Sequence, residues 1–403
     1  MRWLFSRNPV IAISLAIFAV IFTAPSSLAK ERIGIQGHVS ECLLSESQNP
    51  HSPSNIFNTG VENLPSKGEI SVLVLQIEFL DLPTKGISNR SFSLLTSRVS
   101  EFYSEMSRGE LTFNWTLSDQ VSLMSLPVRE YGAGKRSSSQ SIVRIIKESH
   151  DSVFKHQVLA VNSYDYLVVI PPASTTTELI STSISLLKTE EYLNATILAA
   201  DYWQSGQPWQ ILAHEIGHAL GLLDLYSTDV ASEHQSNSSS SAYTQFLFMG
   251  PYDLMNWPNG PAPSFTAWNL WTLGYLPASS ISCMAKPREQ IKLHPIQSSG
   301  GLRAIFIKLD ESKIIVIENR TRVAFDRYLP EKMTGLVVYK VDLNTGNGLG
   351  HMRLLPISRV AQAVQKQERV KKVQGFIGEG ISIESRGLKN GVLVVSVNYL
   401  VNY

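Results

Sequence analysis

The sequence predicts an α+β fold whose first half mixes strands and helices and whose second half is mainly β. Three observations carry that expectation. Before residue 170, apolar runs of strand length alternate with stretches of helical spacing. From Leu302 onward the apolar runs are short, rich in Val and Ile, and separated by turn residues. The chain has 403 residues, 43% of them hydrophobic, enough to bury a sizeable core, and no internal repeat that would point to a solenoid.

Along the chain, Arg2 and Arg7 precede the apolar run Val10–Phe22, and Ser27-Leu28-Ala29 follows with a small-x-small pattern. Residues 1–29 therefore read as a signal peptide, the apolar run being short for a membrane span. Residues 30–66 scatter Gly, Ser, Asn and Pro without a period and read as an irregular lead-in or short pro-segment. Ile70–Ile77 is a continuous apolar run suited to a buried strand. A helix is expected over Ser93–Met106, with Leu94, Val99, Phe102 and Tyr103 at helical spacings and Gly109 ending it. Leu111–Leu117 alternates as a half-buried strand, Ser141–Phe154 is helical, and Tyr166–Ile170 is a strand stopped by Pro171 and Pro172. Residues 173–196, rich in Ser and Thr, read as a surface excursion, and 236–241 as an exposed low-complexity loop. Strands are expected over Ala304–Leu309, Lys313–Glu318, Gly335–Val341, Gly380–Ser385 and Val392–Val397. The mature chain then divides into a catalytic region, 67–300, and a β-rich part, 301–403.

Thirty-five Lys and Arg against 34 Asp and Glu give +1, and loss of Arg2 and Arg7 with the signal peptide gives −1. Neither value suits a nucleic-acid partner or an anionic membrane. Two cysteines exclude a disulfide-rich scaffold and a Cys-built zinc ribbon or iron–sulfur site. Export permits a Cys42–Cys283 disulfide. The competing reading has Cys42 ligating an active-site metal and holding a precursor latent.

The strongest local signal is His214-Glu215-Ile216-Gly217-His218. Two histidines four apart share a helix face, so both imidazoles can converge on one Zn²⁺ while Glu215 holds the attacking water. Gly221 permits a sharp turn out of the helix, and Asp224, six residues beyond His218, completes the extended HExxHxxGxxD form. A His-His-carboxylate set leaves a fourth position open, as catalytic zinc requires. Further on, Met249–Asn256 contains a Gly-Pro turn, and Met255 is suited to a soft floor beneath the metal. Asp342, Asn344, Gly346, Asn347 and Gly348 loosely resemble an oxygen-rich Ca²⁺ loop but lack its spaced carboxylates, so a polar turn is the simpler reading.

The stretch HEIGHALGLLDLY resembles the active-site segment of the immune inhibitor A-type secreted metallopeptidases. Further similar segments follow in family order: Val72–Asp81, Phe102–Leu111, Tyr252–Asn256, Trp268–Pro277, Ile317–Arg320, Phe325–Arg327 and Gly335–Asp342. Leu223 departs from the family, which usually has proline there. The resemblance implies a zincin-like zinc endopeptidase with an active-site helix and a Met-turn at Met255, acting on protein or peptide substrates. By carry-over, His214 and His218 bind zinc, Glu215 is the general base and Asp224 the third ligand, with Asp253 and Glu318 as alternative third ligands. A donor should stabilise the oxyanion, and Tyr252, Tyr226 and His351 are the unranked candidates. The rival reading is a secreted binding or adhesive protein on a degenerate zincin scaffold, although Glu215, the residue such a copy can lose most freely, is intact.

Overall fold

The computed structural model describes residues 41, 42, 44, 63–131, 139–156, 164–172, 182–188, 191–198, 200, 209–227, 246–284, 288–361, 372–387 and 391–400. The expected signal peptide and the 236–241 loop lie outside these residues. The described part is mixed α and β, with few helices and three five-stranded sheets. No helix among the described residues is long and apolar enough to cross a membrane.

The first sheet has the order β2-β1-β3-β5-β4. Strand β1 (Gly68–Glu78) pairs in parallel with β2 (Leu111–Leu123) and β3 (Tyr166–Ile170), and β3 pairs in parallel with β5 (Glu191–Ile197). An interior parallel strand is covered on both faces, which is why Ile70–Ile77 reads as a continuous apolar run. Leu73, Leu75 and Ile77 face Ile142, Ile145 and Ile146 of α2 (Ser139–His156). Helix α1 (Asn89–Ser107) starts four residues before its apolar spacing does, because the Ser88 hydroxyl caps the Ser91 N–H. It packs on α3 (Trp209–Ala219), with the Tyr103 hydroxyl donating to the Ala213 carbonyl at 2.6 Å.

The expected surface excursion at 173–196 is corrected here. Its second half forms β4 (Thr182–Lys188) and β5, an antiparallel pair at the sheet edge. Asn194 and Thr196 are buried beside Ala195 and Ile197, so polar side chains interrupt the apolar period while the backbone pairs on both sides. Threonine suits strands, and a Lys-ending edge limits further pairing.

The second sheet has the order β11-β10-β9-β8-β6: β6 (Ile281–Cys283), β8 (Ala304–Lys308), β9 (Lys313–Arg320), β10 (Gly335–Asp342) and β11 (Met352–Leu354). The third has the order β12-β13-β14-β15-β7: β7 (Arg288–Leu293), β12 (Ser358–Ala361), β13 (Lys372–Gly378), β14 (Ile381–Gly387) and β15 (Leu393–Tyr399). Alternate residues of the two sheets meet in one core: Ile305, Ile307, Ile315 and Ile317 against Ile383, Val395 and Val397. On the opposite face of the second sheet, Phe306 contacts Trp268 and Trp271 of α4 (Ala267–Thr272). Strands β6 and β7 precede residue 300 yet pair with strands that follow it.

Two long-range links tie the parts together. Cys42 and Cys283 form a disulfide across 241 residues, with Cα atoms 5.8 Å apart. That overturns the reading in which Cys42 ligates a metal, since its sulfur is already bonded. The second link is a fully buried ion triad: Arg320 holds Glu318 at 2.6 Å and Asp326 at 2.7 Å, all three at 0% side-chain exposure. Burial opposes the charge on Arg320, but the two carboxylates outweigh it and raise its pKa. Asp326 also accepts the Ser264 N–H and Glu318 the Ala267 N–H, so the triad grips the loop before α4.

Candidate metal centre

Helix α3 buries Leu212, Ala213, Ile216 and Ala219, and this packing turns His214 and His218 toward one point on its remaining face. It ends in a Schellman motif: Leu222 N–H donates to the Gly217 carbonyl at 2.9 Å and Gly221 N–H to the His218 carbonyl at 2.8 Å. Gly221 sits at φ +100°, a conformation that favours glycine. The turn folds the chain back over the histidines and brings the Leu222 carbonyl to His218 and the Asp224 carboxylate to both rings.

His218 Nδ1 lies 2.9 Å from the Leu222 carbonyl, and His214 Nδ1 lies 3.1 Å from the Leu254 carbonyl. A carbonyl only accepts, so each Nδ1 carries a proton and a neutral ring presents a bare Nε2 lone pair. The two Nε2 atoms stand 3.1 Å apart, and Asp224 Oδ1 stands 3.3 Å from His214 Nε2 and 3.2 Å from His218 Nε2. Oδ1 is buried and has no hydrogen-bond donor. Three acceptor atoms therefore face one another, an arrangement that requires a cation or a proton between them. Without a metal it is held by a proton: burial disfavours charge on His218, but the Asp224 carboxylate outweighs burial and raises its pKa to about 9. Asp224 is itself driven far below the usual carboxylate range, the two histidines overcoming its burial.

The donor set fits zinc. Ligands about 2.0–2.1 Å from one centre at tetrahedral angles stand about 3.3 Å apart, matching this triangle. The carbonyl bonds to each Nδ1 are the outer contacts that orient metal-binding imidazoles. Among the described residues, His214, His218 and Asp224 are the only His, Cys, Asp or Glu group of three whose donor atoms lie within 4.8 Å of one another. Glu215 follows His214 on the helix and is 5% exposed.

The 252–256 turn lies beneath the histidines. Met255 is fully buried, and a Cβ at Gly217 would meet its sulfur at 2.6 Å, so a larger residue there would force the methionine side chain to shift. The Met255 carbonyl accepts the Leu225 N–H at 3.0 Å, joining the turn to the segment that carries Asp224. Asp253 adopts φ +78° and shapes the turn: it accepts from Met255 N–H at 2.9 Å, Thr266 N–H at 2.7 Å and the Asn269 amide at 2.9 Å.

These contacts correct one expectation: Asp253 and Glu318 are engaged in the turn and the ion triad, so neither stands beside the two histidines as Asp224 does. The Tyr252 hydroxyl donates to the Met333 carbonyl at 2.6 Å. Tyr226 and His351 remain beside the site. The Tyr226 ring stacks near His214 at 6.1 Å, and burial, with Asp224 and Glu215 nearby, raises its pKa. Burial lowers His351 to about 4 against the pull of Asp224, keeping it neutral.

Asn347 was not legible as a site residue. Its side-chain oxygen accepts the Asp224 N–H at 2.7 Å across 123 residues, and Gly348 N–H donates to the Asp224 carbonyl at 3.3 Å. The loop compared with a Ca²⁺ loop thus anchors the third corner of the triangle, while Asp342 accepts the Asn344 N–H at 2.9 Å. No protein-family model matches the chain, and no curated protein is significantly similar to it.

Proposed function

We propose that the protein is a secreted zinc-dependent endopeptidase of zincin type. The observation that carries this reading is the His214–His218–Asp224 triangle, its Nε2 and Oδ1 atoms 3.1–3.3 Å apart and its imidazoles oriented by backbone carbonyls. Zinc bound there would supply Lewis acidity, lowering the pKa of water toward 7 and polarising the scissile carbonyl. Glu215 takes the proton of the attacking water as general base and delivers it to the leaving amine. Tyr226, kept protonated, and neutral His351 are the two groups suited to donate to the developing oxyanion. Met255 and the Asp253 turn hold the histidines from below. Secretion rests on the 1–29 pattern and is supported by the disulfide.

The test is casein hydrolysis with and without a chelator, for the wild type and Glu215→Ala. The chelator should abolish cleavage, and the variant should keep its zinc while losing about 10²–10⁴-fold in rate. Equal cleavage by the variant defeats the mechanism. Zinc binding without turnover of any protein substrate favours a binding module.

A further inference from the structure

At the C-terminal end of α1 lies a cavity of about 240 Å³, more than tenfold what one water needs. Met106, Phe265, Leu270 and Ile296 line it with apolar side chains, and Arg108 and Arg303 line it as well. Arg303 is only 2% exposed. It donates to the Ser280 hydroxyl at 3.1 Å and the Ile296 carbonyl at 3.5 Å, but its Nε–H has no acceptor. Among the described residues, no carboxylate stands within 4.0 Å of either arginine. The contrast with Arg320, buried between two carboxylates, is direct. A buried cation without a counter-charge is costly, and here it lines a space that can admit one.

Arg108 reaches across the mouth, donating to the Ser298 and Ser299 carbonyls. It is close enough that, together with burial, it pushes Arg303 down to about 10. Glu105 also lines the mouth but pairs with neither arginine, and burial with the charges of Asp326 and Glu101 raises it to about 7.

We propose that this cavity binds a short-chain aliphatic carboxylate, its oxygens on Arg303 and Arg108 and its tail against Met106, Phe265, Leu270 and Ile296. A guanidinium matches a carboxylate in planar geometry, and the four apolar walls favour a carbon tail over an inorganic oxyanion. The site is separate from the histidine triangle, and the proposal does not depend on the peptidase reading.

Calorimetric titration of the whole protein at constant ionic strength tests this, with sodium butyrate, butyramide and sodium sulfate as probes. Butyrate should bind saturably at one site per chain, butyramide should not bind, and sulfate should bind more weakly than butyrate. Arg303→Met should weaken butyrate at least about tenfold, the loss of a charged hydrogen-bonding partner. If that variant does not fold, Arg108→Met, which alters an exposed residue, should weaken butyrate by several-fold. Absence of saturable butyrate binding, equal binding of butyramide, or tighter binding of sulfate overturns the proposal. Butyrate binding that survives the arginine substitutions also overturns it and relocates the acid, for example to the histidines.

Discussion

Replacing Asp224 with Asn keeps the shape of the third corner and removes its charge. In metal-free protein the His218 pKa is about 9, because Asp224 outweighs the effect of burial. A raised histidine pKa contributes stability that is fully present below its unfolded value of about 6.5 and lost as pH rises through the folded value. The difference corresponds to about 3 kcal/mol at most, and the ring's 23% side-chain exposure trims it toward about 2 kcal/mol. Metal-free wild type should therefore lose about 2–3 kcal/mol between pH 6.5 and 9. In Asp224→Asn, only Glu215 and the Leu222 carbonyl still oppose the effect of burial on His218, so most of this fall should disappear. Zinc must displace the His218 proton, so wild-type zinc affinity should rise about tenfold per pH unit up to pH 9. The variant should bind zinc at least about a hundredfold more weakly at pH 9, since even outer-sphere losses cost ten- to a hundredfold. Urea unfolding of chelator-treated protein at pH 6, 7.5 and 9.5, with zinc competition titrations, reads both quantities. Wild-type stability that stays flat across this range, or a variant that binds zinc as tightly as wild type, would refute the reasoning.

Asn347→Ala removes the acceptor of the Asp224 N–H and should lower zinc affinity by about tenfold without changing the ligands, measured by the same competition titration. Gly217→Ala drives a methyl into the Met255 sulfur and should cost about 1–3 kcal/mol in urea unfolding, with Met255→Ala in the same chain restoring part of the loss. Cys42→Ser, or reduction, opens a 241-residue link and should cost about 2–5 kcal/mol, read as a lowered melting temperature.

Legibility followed sequence distance. The HEIGH helix, Gly221 and Asp224 are local, so spacing and one glycine suffice to bring three donor atoms together. The apolar strands of the second sheet were legible because both faces are covered, which leaves little polar interruption. What escaped was either polar within a sheet or distant in sequence. Strands β4 and β5 carry Ser, Thr and Asn where a hydrophobic period was sought. Asn347 acts through a backbone N–H across 123 residues, and no motif marks such a contact. The partner of the Tyr252 hydroxyl was hidden for a related reason: the turn is recognisable, but a hydroxyl's partner depends on tertiary packing, here a carbonyl of the β-rich half. The IENR and FDR segments resembled family motifs, and IENR offered Glu318 as an alternative third ligand; Glu318, Arg320 and Asp326 instead form a buried ion triad holding the loop before α4.

The central claim is that His214, His218 and Asp224 hold one zinc ion on which proteolysis depends. Its most direct measurement is reconstitution: remove metal with a chelator, add zinc in steps, and follow bound zinc and casein cleavage in the same samples. Activity should return in proportion to occupancy and saturate at one zinc per chain, with neither zinc nor activity recovered in His214→Ala. Cleavage that persists without metal, or stoichiometric zinc binding retained by His214→Ala, would contradict it.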